Sequence, residues 1–480
     1  VGVIAGFFMT KQFSAFLNDV LGSLDATGIT HLIKSGEISL DEAIDASVER
    51  AIKSADTLNA IVISDYERAK SRARRPLRKD SLLNVPAFLK DNMNLDGLPT
   101  RFGSAAMSSK PVAVTDELVN QLHACGLHFI GKSTTPAFGF GCTTEFDDGT
   151  PATRNPWNLD LSAGGSSGGS AALVASGVVP IAHANDGGGS IRIPAALCGV
   201  VGLKPSRGRL ARHAKAKALP IDIISDGVIT RTVRDTANFF YEAERYFKPD
   251  HLKPIGRVEG PSKNRLRIGF LYDSLLTKAC PETRKAVETI AKSLSSLGHH
   301  VEETKFQGDE RFATDFSLYW SFLAFTVEKF GGSVFGTDFD ATRLDGLTRG
   351  LSKNFKDNWF KAIGSMMHLR RALNAKKSQQ WDYDVVLSPV LARPTPELGQ
   401  LSPAIPFEEL FRRLKEYVGY TPLANAVGNP AIALPLGQSA RGEPMGLQLS
   451  AAVGEERRLL ELAFELEAAH PWPCLSRINA

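Results

Sequence analysis

Two short stretches combine serine with glycine in a way that could do chemistry. The first is GGSSGGSAALVASG, residues 164–177, and the second is DGGGSIRIPA, residues 186–195. Glycine lowers stability unless the backbone needs its freedom. Two such clusters close together imply backbone N–H groups aimed at a phosphate or an oxyanion, or tight packing of a helix. A P-loop requires GxxxxGK[ST], and no lysine follows either cluster in that register. A dinucleotide fingerprint requires GxGxxG, which neither cluster contains.

Nucleophilic chemistry fits better, in two forms. GGSSG satisfies the GxSxG nucleophile-elbow pattern with Ser166, and GSSGG satisfies it again with Ser167. That elbow demands a strong strand just before it and a histidine downstream. The preceding RNPWNLDLSA is rich in turn residues, and the downstream His368 and His470 fall in helical patterns. The other form pairs a serine with a lysine. A hydroxyl is a poor nucleophile until a base takes its proton. His183 is the nearest histidine, but it lies inside the apolar run VVPIAHAND. A lysine serves as base when burial lowers its pKa from about 10.4 toward roughly 7 to 8, a shift of about 3 to 5 kcal/mol. Lys90 ends the apolar run VPAFL and is followed by Asp91 and Asn92, the place for such a buried base.

Those residues need a scaffold. The chain has 480 residues, 43% hydrophobic and 22% charged, values ordinary for a soluble globular protein with a large core. A net charge of +4 requires neither nucleic acid nor an anionic membrane. The five cysteines, Cys125, Cys142, Cys198, Cys280 and Cys474, are scattered and form no CxxC pair. They imply neither a disulfide framework nor a zinc site, and fit a reducing, cytoplasmic setting. No stretch is long enough to suggest a membrane span. VGVIAGFF, residues 1–8 before Met9, is read as a non-native or upstream extension.

Residues 9–80 read as an N-terminal helical segment packed on a core that spans 81–480. In SLDEAIDASVERAIKSA, Ser39 and Glu42 form a capping-box pattern, and Ile44, Val48, Ala51 and Ile52 recur at helical spacing. SRARRPLRKDS, 71–81, reads as a solvated linker. Beyond it, short apolar runs end in polar residues: LLNVPAFLKDN, LHFIG (ending at Gly131), VVPIAHAND, GVVGLKPS, RLRIGFLYD and YDVVLSPVL. Helical segments such as TDELVNQLHACG separate them. This alternation predicts an α/β domain with a buried sheet. Residues 300–380 are aromatic-rich and helical in pattern, and read as a cap or insertion. EERRLLELAFELEAAH closes the chain as an amphipathic helix, with Leu459, Leu462, Ala463 and Leu466 on one face.

The motifs together resemble the amidase signature family. VPAFLKDNMNLDGLPTRFGS resembles its lysine segment, and RNPWNLDLSAGGSSGGSAALVASGVVPIAHANDGGGSIRIPAALCGVVGLKPSRGRL its signature, nearly end to end. DGVITRTVRD and YTPLANAVGNPAIALPLG resemble later blocks. The resemblance runs from about residue 12 to 470 and is weakest over 300–380. It implies one large domain with a central mixed twisted β-sheet covered by helices on both faces.

The resemblance also implies a Ser–Ser–Lys set: Ser190 as nucleophile, Ser166 as the bridging serine held in a cis peptide, and Lys90 as base. Gly187, Gly188, Gly189 and Ser190 would form the oxyanion hole, with Asp186 and Arg192 bracing that loop and Ser167 hydrogen-bonding beside the bridging serine. Cys142, Thr143 and Thr144 are candidate substrate contacts, while Trp157 reads as packing. Tyr319 and Trp320 could reach the site from the cap. The implied reaction is hydrolysis of a small-molecule amide through an acyl-enzyme, with no metal and no cofactor. Homodimers are common among similar proteins. Gly187 stands where the family more often has threonine, as in amidases similar to 6-aminohexanoate-cyclic-dimer hydrolases. Two neighbouring readings share the motifs: an esterase on the same triad, and the glutaminase-like subunit of a tRNA-dependent amidotransferase. The second usually has glutamine after the signature arginine, where this chain has Ile193.

Overall fold

Apolar runs rich in branched residues become strands when both their faces can be covered. Here they do, in a computed structural model that describes residues 11–73, 80–211, 219–306, 310–377 and 382–477. The extension expected at 1–8 lies outside the described residues, as does most of the linker expected at 71–81. Its first residues instead close a helix, Tyr66–Ala73.

The strands are β1 (Ile61–Ser64), β2 (Val85–Lys90), β3 (Leu127–Ser133), β4 (Arg154–Asn155), β5 (Asn158–Ser162), β6 (Ile181–Asp186) and β7 (Val201–Lys204). Then follow β8 (Ser225–Thr230), β9 (Arg267–Phe270), β10 (His300–Glu303), β11 (Val385–Pro389), β12 (Ala431–Gln438) and β13 (Pro444–Ser450). Eleven of them form one mixed sheet in the order β1-β3-β2-β6-β8-β7-β12-β13-β11-β9-β10, while β4 and β5 pair separately. β2 runs parallel to both β3 and β6, and β9 parallel to β10 and β11. The other neighbours are antiparallel. The mixed sheet expected from the sequence is present.

Every residue of β2, β3 and β7 is buried, because helices cover both faces. Successive strand residues point to opposite faces. Val85, Ala87 and Leu89 of β2 therefore enter one core, while Phe88 enters the other. Lys90 has the parity of Phe88. That face also holds Ala182 and Ala184 of β6 and the residues of the Gly168–Ala175 helix. Strand alternation alone thus turns Lys90 toward the segment that carries the first serine cluster.

The capping box at Ser39 and Glu42 is formed, and it starts the helix Leu40–Leu58. Ile44 and Ala51 of that helix are fully buried, but Ile52 is 63% exposed. At 100° per residue Ile52 lies about 80° around from Ile44, off the buried stripe. Strand β3 runs two residues past Gly131. The segment expected to be helical from 300 opens instead with the edge strand β10, and then forms the helices Phe312–Phe335, Gly346–Asp357 and Trp359–Lys377. The closing helix, Glu456–Ala469, buries Leu459, Leu462, Ala463 and Leu466 as its periodicity predicts. Among the described residues none of the five cysteines is joined in a disulfide.

Candidate active site

Lys90 ends β2, and its side chain is wholly enclosed. Its Nζ lies 2.7 Å from Ser166 Oγ, 2.9 Å from Ser167 Oγ and 2.6 Å from Asn185 Oδ1. Burial pulls its pKa down to about 7, against the opposing pull of the Asp186 and Asp226 carboxylates. The neutral amine has two N–H donors and one lone pair. Asn185 Oδ1 can only accept. The Ser167 hydroxyl donates to the Asn185 carbonyl at 3.3 Å, so its own hydrogen is committed. In the neutral state Lys90 therefore donates to Asn185 and Ser167, and the Ser166 hydroxyl is left to donate into the lone pair. That is the hydrogen-bond pattern of a base poised to take the Ser166 proton.

Ser166 and Ser167 sit between β5 and the Gly168–Ala175 helix, and the Gly165–Ser166 peptide is cis. The strand before them, β5, pairs with β4 and bridges Glu397, and lies outside the main sheet. A nucleophile elbow needs a strand of that sheet in this place. His368 is paired with Asp315, His470 with Ser293, and among the described residues no histidine lines the cavity beside these serines. His183 lies behind Lys90, where its Nδ1 takes the Lys90 backbone N–H at 3.4 Å, and burial lowers its pKa. The elbow reading finds no support in this arrangement.

Glycine in the first cluster answers a packing demand. A Cβ on Gly169 would stand 2.4 Å from Thr134 Oγ1 and 2.5 Å from Thr134 N, so this helix can approach β3 only without one.

The second cluster follows β6 and leads into the Arg192–Cys198 helix. Asp186 organises it. Its carboxylate accepts from the N–H groups of Gly189 at 2.6 Å, Ile191 at 3.2 Å and Arg192 at 3.4 Å. It also takes both Nε and Nη2 of Arg192, at 2.9 and 3.0 Å. Burial opposes the Asp186 charge, but the Arg192 guanidinium outweighs it and holds the carboxyl well below the usual range. Arg192 reaches on to Gln448 Oε1 at 2.9 Å, the Thr421 carbonyl at 2.9 Å and Asn425 Oδ1 at 2.7 Å. Asn425 in turn donates to the Asp186 carbonyl at 2.7 Å and the Ile223 carbonyl at 3.0 Å. Thr421 Oγ1 donates to the Gly188 carbonyl at 2.5 Å. Asn425, Thr421 and Gln448 were not anticipated. Thr421 and Asn425 lie in the family-like block YTPLANAVGNPAIALPLG, which by itself gives them no role, and Gln448 lies outside every quoted motif.

The outcome is a loop whose backbone is fixed from behind. Gly189, at φ +131°, takes a conformation that other residues rarely adopt. Its N–H is spent on Asp186. Gly187, Gly188 and Ser190 line a cavity of about 250 Å³ together with Ser166 and Asn185. The Ser190 carbonyl accepts from the Ser167 N–H at 3.3 Å, which ties the two clusters together.

Of the candidate substrate contacts, Cys142 lines this cavity, and burial pushes its thiol pKa far up. Thr143 and Thr144 do not line it: their hydroxyls go to the carbonyls of Leu401, at 3.2 Å, and Gly164, at 2.8 Å. Trp320 reaches the cavity from the cap, whereas Tyr319 is buried behind it and donates to the Ile221 carbonyl. Trp157 packs, with its indole N–H on the Cys198 carbonyl at 2.8 Å. A second buried lysine, Lys204, is also lowered to about 7 by burial, but it reaches the Pro205 carbonyl and Ser225 rather than either serine of the first cluster. Among the described residues no three His, Cys, Asp or Glu side chains gather as a metal site, and no helix is long and apolar enough to cross a membrane.

Comparison with known proteins extends this picture. The Amidase family model matches residues 42–460. The chain is 43% identical to "Putative amidase AmiC" of Mycobacterium bovis, over 98% of this chain and 99% of that protein. It is 32% identical to a 6-aminohexanoate-cyclic-dimer hydrolase of Paenarthrobacter ureafaciens, over 93% of this chain and 95% of that one. A solved structure of 6-aminohexanoate cyclic dimer hydrolase superposes with a TM-score of 0.83 at 30% identity, covering 94% of this chain and 97% of that one. Since agreement in sequence and in fold extends over nearly the whole chain, the protein belongs to the amidase family and is an enzyme that hydrolyses amides.

Proposed function

We propose that the protein cleaves a carboxylic amide through an acyl-enzyme on Ser190, with Lys90 and Ser166 relaying protons. The observation that carries this reading is the enclosed Lys90 amine, 2.7 Å from a serine that shares a cavity with Ser190. Neutral Lys90 takes the Ser166 proton as Ser166 takes that of Ser190. Ser190 Oγ attacks the amide carbonyl carbon, and the oxygen gathers the negative charge of the tetrahedral intermediate. The N–H groups of Gly187, Gly188 and Ser190 receive it, since that of Gly189 is held by Asp186. Each such donor contributes roughly 3 to 4 kcal/mol in the transition state. The C–N bond then breaks, and the proton returns through Ser166 to the leaving nitrogen. Water repeats the path on the ester and releases the acid and free Ser190.

Asp186 and Arg192 serve this mechanism by fixing the loop, and Ser167 by orienting Lys90. The chemistry calls on no metal or cofactor. Relatives named for a cyclic amide dimer and as an acylamidase support an amide substrate. The test is intact mass and peptide mapping after reaction with a small fluorophosphonate, alongside hydrolysis of matched amides and esters. An adduct on Ser190 is expected, with amide turnover. An adduct on Ser166 or Ser167 would overturn the mechanism, and ester turnover without amide turnover would make the enzyme an esterase.

A further inference from the structure

The cavity that holds Ser190 is walled by two separate sets of apolar side chains, and each is held there at a structural cost or by a close approach. The first is Phe102 and Phe138. Both have left-handed backbones, at φ +50° and +51°, which bulky residues seldom adopt. Strained backbone of this kind persists only where the surroundings over-determine it, and it gathers at functional sites. Here the Phe138 N–H donates to the Phe102 carbonyl at 2.8 Å, which locks the two positions together. The rings stack with centroids 6.3 Å apart, and Phe335 of the cap packs on both, at 5.2 and 5.6 Å. Gly139, the next residue, lies against Ser166: a Cβ there would stand 3.2 Å from Ser166 Oγ. The strained turn thus brings two aromatic rings to the Ser166 side of the reacting centre.

The second wall lies over the Ser190 loop. A Cβ placed on Gly187 would sit 3.8 Å from Ile224 and 3.9 Å from Ile223, and one on Gly188 would sit 3.7 Å from Phe316. Apolar side chains therefore roof the loop closely, with room for a methyl group at Gly187. Among the described residues that line the cavity, Lys415 is the one charged side chain, and its Nζ rests over the Phe411 ring at 4.7 Å. A cationic group carried into such surroundings loses its hydration without gaining an opposite charge, and an anionic one meets a single ammonium, that of Lys415, at the wall.

We infer that the substrate is an uncharged amide with apolar groups on both sides of the scissile bond, at least one of them aromatic. The inference rests on the hydrolase reading above and adds the substrate class to it. Aromatic faces and edges favour an aryl group over an alkyl group of equal area. Each extra methylene buried should raise kcat/KM about fourfold, from roughly 0.8 kcal/mol per methylene.

The experiment compares kcat/KM for amides identical except at the distal end of the acyl or amine group, which carries phenyl, alkyl, carboxylate or ammonium. The phenyl compound is expected to exceed the ammonium compound by about a hundredfold or more, with the carboxylate below the neutral pair. Equal turnover of phenyl and ammonium compounds by protein that fluorophosphonate labels at Ser190 overturns the substrate class and leaves the hydrolase reading standing. No labelling and no turnover of any member removes the hydrolase reading and this inference with it. The variant Phe316→Asp, at a half-buried position on a cap helix, should cut the phenyl-to-ammonium ratio about tenfold while its circular dichroism is unchanged. An unchanged ratio in the folded variant also counts against the inference.

Discussion

The Lys90 amine and the Ser166 hydroxyl lie 2.7 Å apart, the lysine wholly enclosed and the serine at the wall of the cavity. On the proposed mechanism, the protonation state of Lys90 governs proton transfer. With the amine at about 7, kcat/KM should rise as pH climbs through 7 and level off above 8. A pH–rate profile flat from 5.5 to 9 would remove Lys90 from the role of base. Lys90→Ala should lower kcat by about 10²- to 10⁴-fold.

The same shift has a consequence for stability. The native pKa of Lys90, about 7, lies below its ordinary value of 10.5. Between those values the unfolded chain binds a proton that the native protein lacks, so stability rises with pH across that window. At or below pH 7 the full penalty of burying the group is present. Lys90→Met should therefore be most stabilised relative to the wild type near pH 6 to 7, and the gap should close as pH approaches 10. Urea midpoints of the two proteins at pH 6.5, 8 and 9.5 give the test.

Asn425 bridges Asp186 and Arg192 from a helix more than 230 residues away in the chain. Asn425→Ala removes a donor to two carbonyls and an acceptor for the guanidinium. A loss of about 1 to 3 kcal/mol is expected, from buried partners left unsatisfied. If Asn425 positions the oxyanion loop, kcat should fall by about tenfold or more with KM little changed. A fall in stability with kcat intact would make the residue purely structural.

Arg192→Ala is a harsher change, because it strands the enclosed Asp186 carboxylate. Breaking one partner of a buried pair costs about 3 to 5 kcal/mol. Arg192→Lys keeps the charge but cannot reach Asp186, Gln448, Thr421 and Asn425 at once. Chemical denaturation should place it between the wild type and the alanine variant.

Two glycines should respond in opposite ways. Gly169→Ala forces a Cβ into Thr134 and should destabilise by about 1 to 3 kcal/mol. Gly187→Ala meets only ordinary contacts and should fold normally. Its methyl would fill space beside the acyl group, so branched acyl amides should lose about tenfold in kcat/KM while acetamides change little.

What the sequence could reveal depended on how local each signal was. Lys90, Ser166 and Ser190 stand in dense motifs, and the alternation of VPAFLK already assigns Lys90 to one face of β2. The helix Leu40–Leu58 announces itself through Ser39 and Glu42. Ile52 misled because it sits at the edge of the helical stripe, where burial depends on what packs there. Thr421 and Asn425 stand in the family-like block YTPLANAVGNPAIALPLG and Gln448 in none, but no local signal assigns any of them a role: they matter because β6, β12 and β13 bring their segments to the Asp186 loop. Thr143 and Thr144 stand beside Cys142 in sequence, but their hydroxyls satisfy backbone carbonyls. β12 and β13 themselves were missed as strands, since AIALPLGQ and PMGLQLS carry prolines and glycines that blur the pattern.

The order of strands in the sheet bears on how the molecule comes into being. β2 carries Lys90 and β6 leads to Ser190, and the two strands are paired side by side although about ninety residues lie between them. Parallel pairing across such a distance must close a long loop before its contacts form. No fragment short of that pairing can assemble Lys90 with both serines. During refolding, catalytic competence should accordingly return later than helical content, and activity becomes a readout of long-range topology rather than of local structure.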